Sequence, residues 1–147
     1  MEVSILILDW NGIMKLIIAA ILASLIGYDR KKQNKAAGIR TNVIVAVISC
    51  VIMILPVKVA QSSGLIDGVE GDPARLAAQV VSGIGFLGAG TIIKQEDKIE
   101  GLTTAASLWG VAGLGLAVGY GLYDISIAAA LIIFISLRIA PSVKKRM

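Results

Sequence analysis

Five long apolar stretches, separated by short segments that hold most of the charge, make up the chain. The runs lie at about residues 10–28, 42–57, 74–93, 102–118 and 125–140. Each has roughly the length at which a helix crosses a bilayer core. Trp10 and Tyr28 fall at the edges of the first run, where amphipathic aromatics meet membrane interfaces. The second ends at Pro56 and Lys58, and residues 119–124 tightly connect the fourth to the fifth. The pattern predicts an all-α, polytopic transmembrane helical bundle of about five spans, in a single domain over residues 1–147.

The third run organises the rest. Asp72 stands before Pro73, a side-chain acceptor followed by a residue that lacks the orphaned N–H, which marks a helix start. Gly83, Gly85, Gly88 and Gly90 follow, among Ala77, Ala78, Ser82 and Ala89. Such a sequence makes a poor lone helix, but small residues let helices meet backbone to backbone in lipid. Gly83, Gly85 and Gly88 also fit G-x-G-x-x-G. A dinucleotide site needs a buried strand before that motif and an amphipathic helix after it, whereas here it lies inside one apolar span, so the reading is rejected. The fourth run carries Gly110, Gly113, Gly115 and Gly119. Gly115 and Gly119 have GxxxG spacing, which predicts tight packing on the third helix; the same surface could also dimerise.

Composition supports the membrane reading: 56% of the 147 residues are hydrophobic and 16% charged, with a mean hydropathy of +0.84. There is no histidine, and Cys50 is the one cysteine. An intrachain disulfide is impossible, and a zinc site, a Cys/His nucleophile pair and an intramembrane enzyme find no support. No metal or cofactor is expected. The +4 net charge is not a nucleic-acid signal, because the basic residues gather at the ends of apolar spans.

Those residues also set orientation. Residues 1–9 hold Glu2 and Asp9 without Lys or Arg, so the first run reads as a retained helix and not a cleaved leader. With five spans, Arg30, Lys31, Lys32, Lys35, Arg40, Lys94, Lys98, Lys144, Lys145 and Arg146 share one side, and Lys58 and Arg75 the other. The predicted topology has the N-terminus outside and the C-terminus cytoplasmic. Lys15, inside the first run, either snorkels to the nearer surface or belongs to an ion path. Arg138 can snorkel to the basic side.

Three stretches carry a family resemblance. RLAAQVVSGIGFLGAGTII (residues 75–93) and GLTTAASLWGVAGLGLAVGYGLY (residues 101–123) resemble the membrane domain of the MgtC/SapB family. GYDRKKQNKAAGIRTNVIV (residues 27–45) is similar to its signature, in which Asp29 and Arg30 are followed by Gly38, Arg40 and Thr41. The resemblance implies a multi-pass protein of the bacterial inner membrane, tied to magnesium-limited growth and, in pathogens, to survival in phagocytes. It further implies regulation of membrane energetics through a membrane-protein partner, an ATP synthase or a cation-transport ATPase. Asp29 stands where the family commonly has Glu. Longer members carry a cytoplasmic C-terminal domain resembling ACT domains, so a chain ending at Met147 is expected to be a membrane-only member or a piece of a longer one.

Three constellations are candidate sites. Asp29, Arg30, Arg40 and Thr41 could form a paired network or bind an anionic head group or phosphate; simple positive-inside anchoring is the alternative. Asp72, Arg75 and Gln79 share a helix face that Ser82 extends, giving either a polar track into the membrane or a cap, an ion pair and interhelical hydrogen bonds. Thr103, Thr104 and Ser107 start the fourth span, with Thr103 and Ser107 facing together; they either line a site beside Thr91 or satisfy the helix start. Glu96, Asp97 and Glu100, like Asp67, Glu70 and Asp72, read as solvated acids and not as a fixed Mg²⁺ octahedron.

Two functions compete. One is a regulator that binds another membrane complex through its third and fourth helices. The other is a homo-oligomeric transporter or channel for cations or small solutes. The lipid bilayer is a partner in both.

Overall fold

The computed structural model describes residues 9–62, 72–96 and 98–139. Asp67, Glu70, Asp97, Lys144, Lys145 and Arg146 lie outside the described residues. Among the described residues, five helices run antiparallel in chain order: α1 (Trp10–Lys32), α2 (Ile39–Ser62), α3 (Pro73–Ala89), α4 (Leu102–Tyr120) and α5 (Tyr123–Ile139). A small hairpin, β1 (Ile93–Gln95) with β2 (Lys98–Glu100), joins α3 to α4. By length and composition α1, α2 over Ile39–Lys58 and α4 can each cross a membrane. With 17 residues each, α3 and α5 are about 25 Å long, at the short end of spanning length.

The helix ends differ from the hydropathy edges. Arg30, Lys31 and Lys32 continue α1 through its last turn, where cations favour the carbonyl end of a helix. The expected loop over residues 29–41 shrinks to residues 33–38, because α2 already begins at Ile39. At the other end of the chain's third run, α3 stops at Ala89 and not at Ile93. Thr91 and Ile92 close it with i→i−3 amide bonds to Gly88 and Ala89, both 3.0 Å, and the β-branched run Thr91, Ile92, Ile93 then suits a strand. Glu96 turns the hairpin at φ 43°. The start of α3 is as expected: Pro73 is its first residue, and Asp72 Oδ1 accepts the Arg75 N–H at 3.1 Å.

The centre of the bundle is α4, which touches all four other helices. Ten of its 19 residues are buried. Ala19, Ala23 and Ile26 of α1 and Ala46 and Cys50 of α2 meet Val111 and Val118 there. The GxxxG face of α4 packs on α2 and not on α3. A Cβ on Gly119 would lie 2.6 Å from the Cys50 carbonyl oxygen, and one on Gly115 would be 2.9 Å from Ser49 Cβ. Gly88 alone among the α3 glycines meets α4, at 3.5 Å from Ala105 Cβ; Gly83 and Gly85 have nothing within 4 Å, and Gly90 serves as the C-cap. The outside is as apolar as the inside: Trp10, Ile44, Phe86, Ile132 and Ile139 are all exposed, as in a multi-pass membrane protein whose solvent is lipid.

Candidate functional site

Contacts between distant residues fix which helix ends meet. At one end Lys58 pairs with Asp9, and Lys15 Nζ donates to the Gly119 carbonyl at 2.9 Å. Lys15 thus caps the carbonyl end of α4, where a cation is favoured. It does not hang free in lipid.

The opposite, basic end holds the buried charges. Gly27 brings α1 and α2 together: a Cβ there would lie 2.6 Å from Ile39 Cα. One turn later Asp29 and Arg30 are drawn inside, at 3% and 2% exposure. Arg30 Nη2 donates to Thr104 Oγ1 at 3.1 Å, and Ser107 Oγ donates to the Thr104 carbonyl at 2.8 Å. Asp29 accepts from Gln33 Nε2 at 2.6 Å and from Arg138 Nε at 3.2 Å. Arg138 also lies over the Phe134 ring, 4.9 Å from its centroid, a cation–π placement. Arg138 pairs with the one carboxylate and Arg30 makes its bond to Thr104 instead, so two guanidinium groups stand against one acid and the cluster is net positive. Arg30 Nε is buried without a hydrogen-bond partner, as is Asn42 Oδ1. The Asn42 amide donates to the Ala37 and Gly38 carbonyls at 3.1 and 2.8 Å, stapling the α1–α2 loop. The cluster therefore ties α1, α4 and α5 together and holds positive charge beneath the surface.

Of the predicted residues at this end, Asp29 and Arg30 are inside, and Arg40 and Thr41 are exposed on the first turn of α2. With Lys31, Gly38 and Ile39 they line an open basin of about 570 Å³. Of the three hydroxyls that start α4, Thr104 and Ser107 are buried and Thr103, on the flank of the same face, is exposed. Thr91 is spent on its own helix, donating to the Gly88 carbonyl at 2.8 Å. The sequence reading missed the parts played by Gln33, Asn42 and Arg138. A signal existed for Arg138: Asp29 is the acid at the basic ends of the spans that could receive it.

The second constellation lies along the outside of the bundle. Asp72, Arg75, Gln79 and Ser82 are all exposed, on the face of α3 turned away from α4. Among the described residues, the Arg75 guanidinium forms no ion pair with Asp72, and Gln79 and Ser82 donate to no neighbouring helix. No three Cys, Asp or Glu side chains converge among the described residues.

The profile of the MgtC family matches residues 16–146. Protein SapB of Bacillus subtilis (strain 168) is 41% identical over 140 residues, covering 95% of this chain and 60% of the relative. Protein MgtC of Salmonella typhimurium (strain LT2) is 40% identical over 121 residues, covering 82% and 48%. Escherichia coli (strain K12) YhiD, provisionally named a magnesium transporter, is 39% identical over 127 residues, covering 86% and 59%. The chain spans about half to three-fifths of the length of these curated relatives. No solved structure matches it.

Proposed function

The chain belongs to the MgtC family, and from that premise we propose that it is a bacterial inner-membrane protein of magnesium homeostasis that regulates membrane energetics by binding an ATP synthase or a cation-transport ATPase. It acts as a binding protein and not as an enzyme. One observation carries the choice of regulator over transporter: α2 and α4 meet backbone to backbone through Gly115 and Gly119. The charged groups stand at the two ends, Lys15 at one and Arg30 at the other. Between them lie Ala19, Ala23, Ile26, Cys50, Val111 and Val118, all at 0% exposure. Among the described residues, that apolar packing separates the charged groups at the two ends of a single copy. The basic end, with Lys31, Arg40 and Thr41 on a rigid frame, offers the partner a fixed cationic surface, and its orientation toward the cytoplasm follows the distribution of Lys and Arg.

The test is affinity purification with crosslinking from native membranes at low magnesium, wild type against Arg40→Ala. The expected result is recovery of an ATP synthase or P-type ATPase subunit that falls with Arg40→Ala, an exposed position whose loss does not disturb the core. The rival reading, a homo-oligomeric cation transporter, draws on the transporter name of YhiD. Recovery of self-crosslinked protein alone, with Mg²⁺ flux in reconstituted liposomes, would replace the regulator with that reading.

A further inference from the structure

Only Ile84 and Gly88 of α3 are buried. On the opposite side Arg75, Gln79, Ser82 and Phe86 follow one another at i, i+4, i+7 and i+11, all exposed. That is the spacing of a coiled-coil seam. With Pro73 at the membrane interface, Gln79 and Ser82 lie about 9 and 14 Å along the helix, within the hydrocarbon. Acyl chains offer neither donor nor acceptor, so both side chains face a solvent that cannot satisfy them. Beside the seam an apolar groove of about 660 Å³ runs between α2 and α3, lined by Ile48, Leu55, Leu76, Gln79, Gly83 and Leu87 among others. Gly83 opens it, with nothing within 4 Å of an added Cβ. Phe86, 83% exposed, projects from the same helix.

We infer that a second copy of this chain covers the outward face of α3, with the two α3 helices parallel about a two-fold axis. The surface complements itself, as an isologous interface requires. The Gln79 amide and the Ser82 hydroxyl each carry donor and acceptor, so each can pair with its own counterpart. Asp72 and Arg75 at the helix start give one negative and one positive charge per copy, which pair crosswise about the axis. Phe86 is the knob, and the groove at Gly83 is the hole. A lipid chain would satisfy the groove but not Gln79. An unrelated helix would need its own matching amide, hydroxyl and ion pair. This inference is independent of the ATPase reading, since the proposed partner surface is at the basic end.

The experiment uses the full chain in native membranes with Cys50→Ala and single cysteines introduced in turn. Ser82→Cys should give a disulfide dimer under mild oxidation, and Ile132→Cys on the lipid face of α5 should not. In parallel, the dimer fraction is measured by energy transfer between labelled copies in liposomes at varied dilution. Gln79→Leu should weaken association about fivefold to tenfold, two interhelical hydrogen bonds being lost per dimer. Gly83→Leu fills the hole and should weaken it at least as much, while the monomer stays folded because an added Cβ there has nothing within 4 Å and the groove beyond it is open. Three results would overturn the inference: equal crosslinking at Ser82→Cys and Ile132→Cys, a Ser82→Cys adduct with a different polypeptide, or dimerisation unmoved by Gln79→Leu and Gly83→Leu.

Discussion

α3 and α4 are close in length and both rich in glycine, yet ten of the 19 residues of α4 are buried and two of the 17 of α3. The glycines explain the difference only once their neighbours are named. Gly115 and Gly119 touch the backbone of α2, so they are packing residues within the chain. Gly83 and Gly85 face open space. A glycine costs a helix about 1 kcal/mol relative to alanine, and at Gly119 the close approach of α2 offsets that cost. At Gly83 the chain itself offers no such compensation. A small-residue pattern thus reports a potential for close approach, and the neighbouring backbone decides whether it is used within the chain or between chains.

The largest break in this comparison should come from matched substitutions. Gly119→Leu forces a side chain into a site where Cβ alone would lie 2.6 Å from the Cys50 carbonyl oxygen and 2.8 Å from Met53 Cβ. It should cost about 3 kcal/mol or more, the upper range for overpacking, and lower the midpoint of thermal unfolding in detergent. Gly83→Leu in the same assay should leave the monomer unchanged or gain up to about 1 kcal/mol of helix propensity. Equal losses at the two positions would mean that the Gly83 face of α3 is packed against its own chain as well.

The next test sharpens what holds the basic end together. Thr104→Val leaves Arg30 Nη2 without its acceptor and should cost about 1–3 kcal/mol. Asp29→Ala leaves two guanidinium groups without a counter-charge and should cost about 3 kcal/mol, the lower range for breaking a buried pair, because Arg138 is half exposed. Since the two positions share one network, the double variant should fall short of the sum. Strict additivity would show that Arg30–Thr104 and Asp29–Arg138 work separately. Lys15→Met comes below these: it uncaps α4 at Gly119 and should cost about 0.5–1 kcal/mol.

Hydropathy made the helices legible, and Asp72–Pro73 made the start of α3 legible to the residue. Helix ends were less so, because lipid thickness limits the apolar run but not the helix; Asp29 to Lys32 stay helical beyond it. The partner of the α4 GxxxG face was not legible either. Periodicity shows that Gly115 and Gly119 share a face, but not which helix fills it. Hydropathy placed the start of α4 at Leu102, but it did not show which of its hydroxyls the neighbouring helices cover: Thr104 and Ser107 are buried and Thr103 is exposed. Arg138 escaped for a related reason: its partner Asp29 lies 109 residues away, and only the return of α5 beside α1 joins them.

The smallest effect is expected at the end of the packed region farthest from the buried cluster. Lys58 holds the Asp9 carboxyl below the usual carboxylate range, chiefly through their hydrogen bond. A carboxylate whose folded pKa is depressed adds stability above its ordinary pKa and loses it as the pH falls through the folded value. The pair should therefore steady the start of α1 against α2 at neutral pH and release it in acid. Both side chains are about half open to solvent, 52% for Lys58 and 40% for Asp9, so screening by water and salt leaves little net energy. Asp9→Asn should flatten the acid limb of the unfolding curve slightly, with the difference from wild type vanishing in high salt. Packing through Gly115 and Gly119 holds α2 to the bundle whether or not Asp9 is charged. A large, salt-resistant loss in Asp9→Asn would mean that α1 and α2 depend on their ends, and would put the strength of the packed region in its ion pairs instead of its backbone contacts.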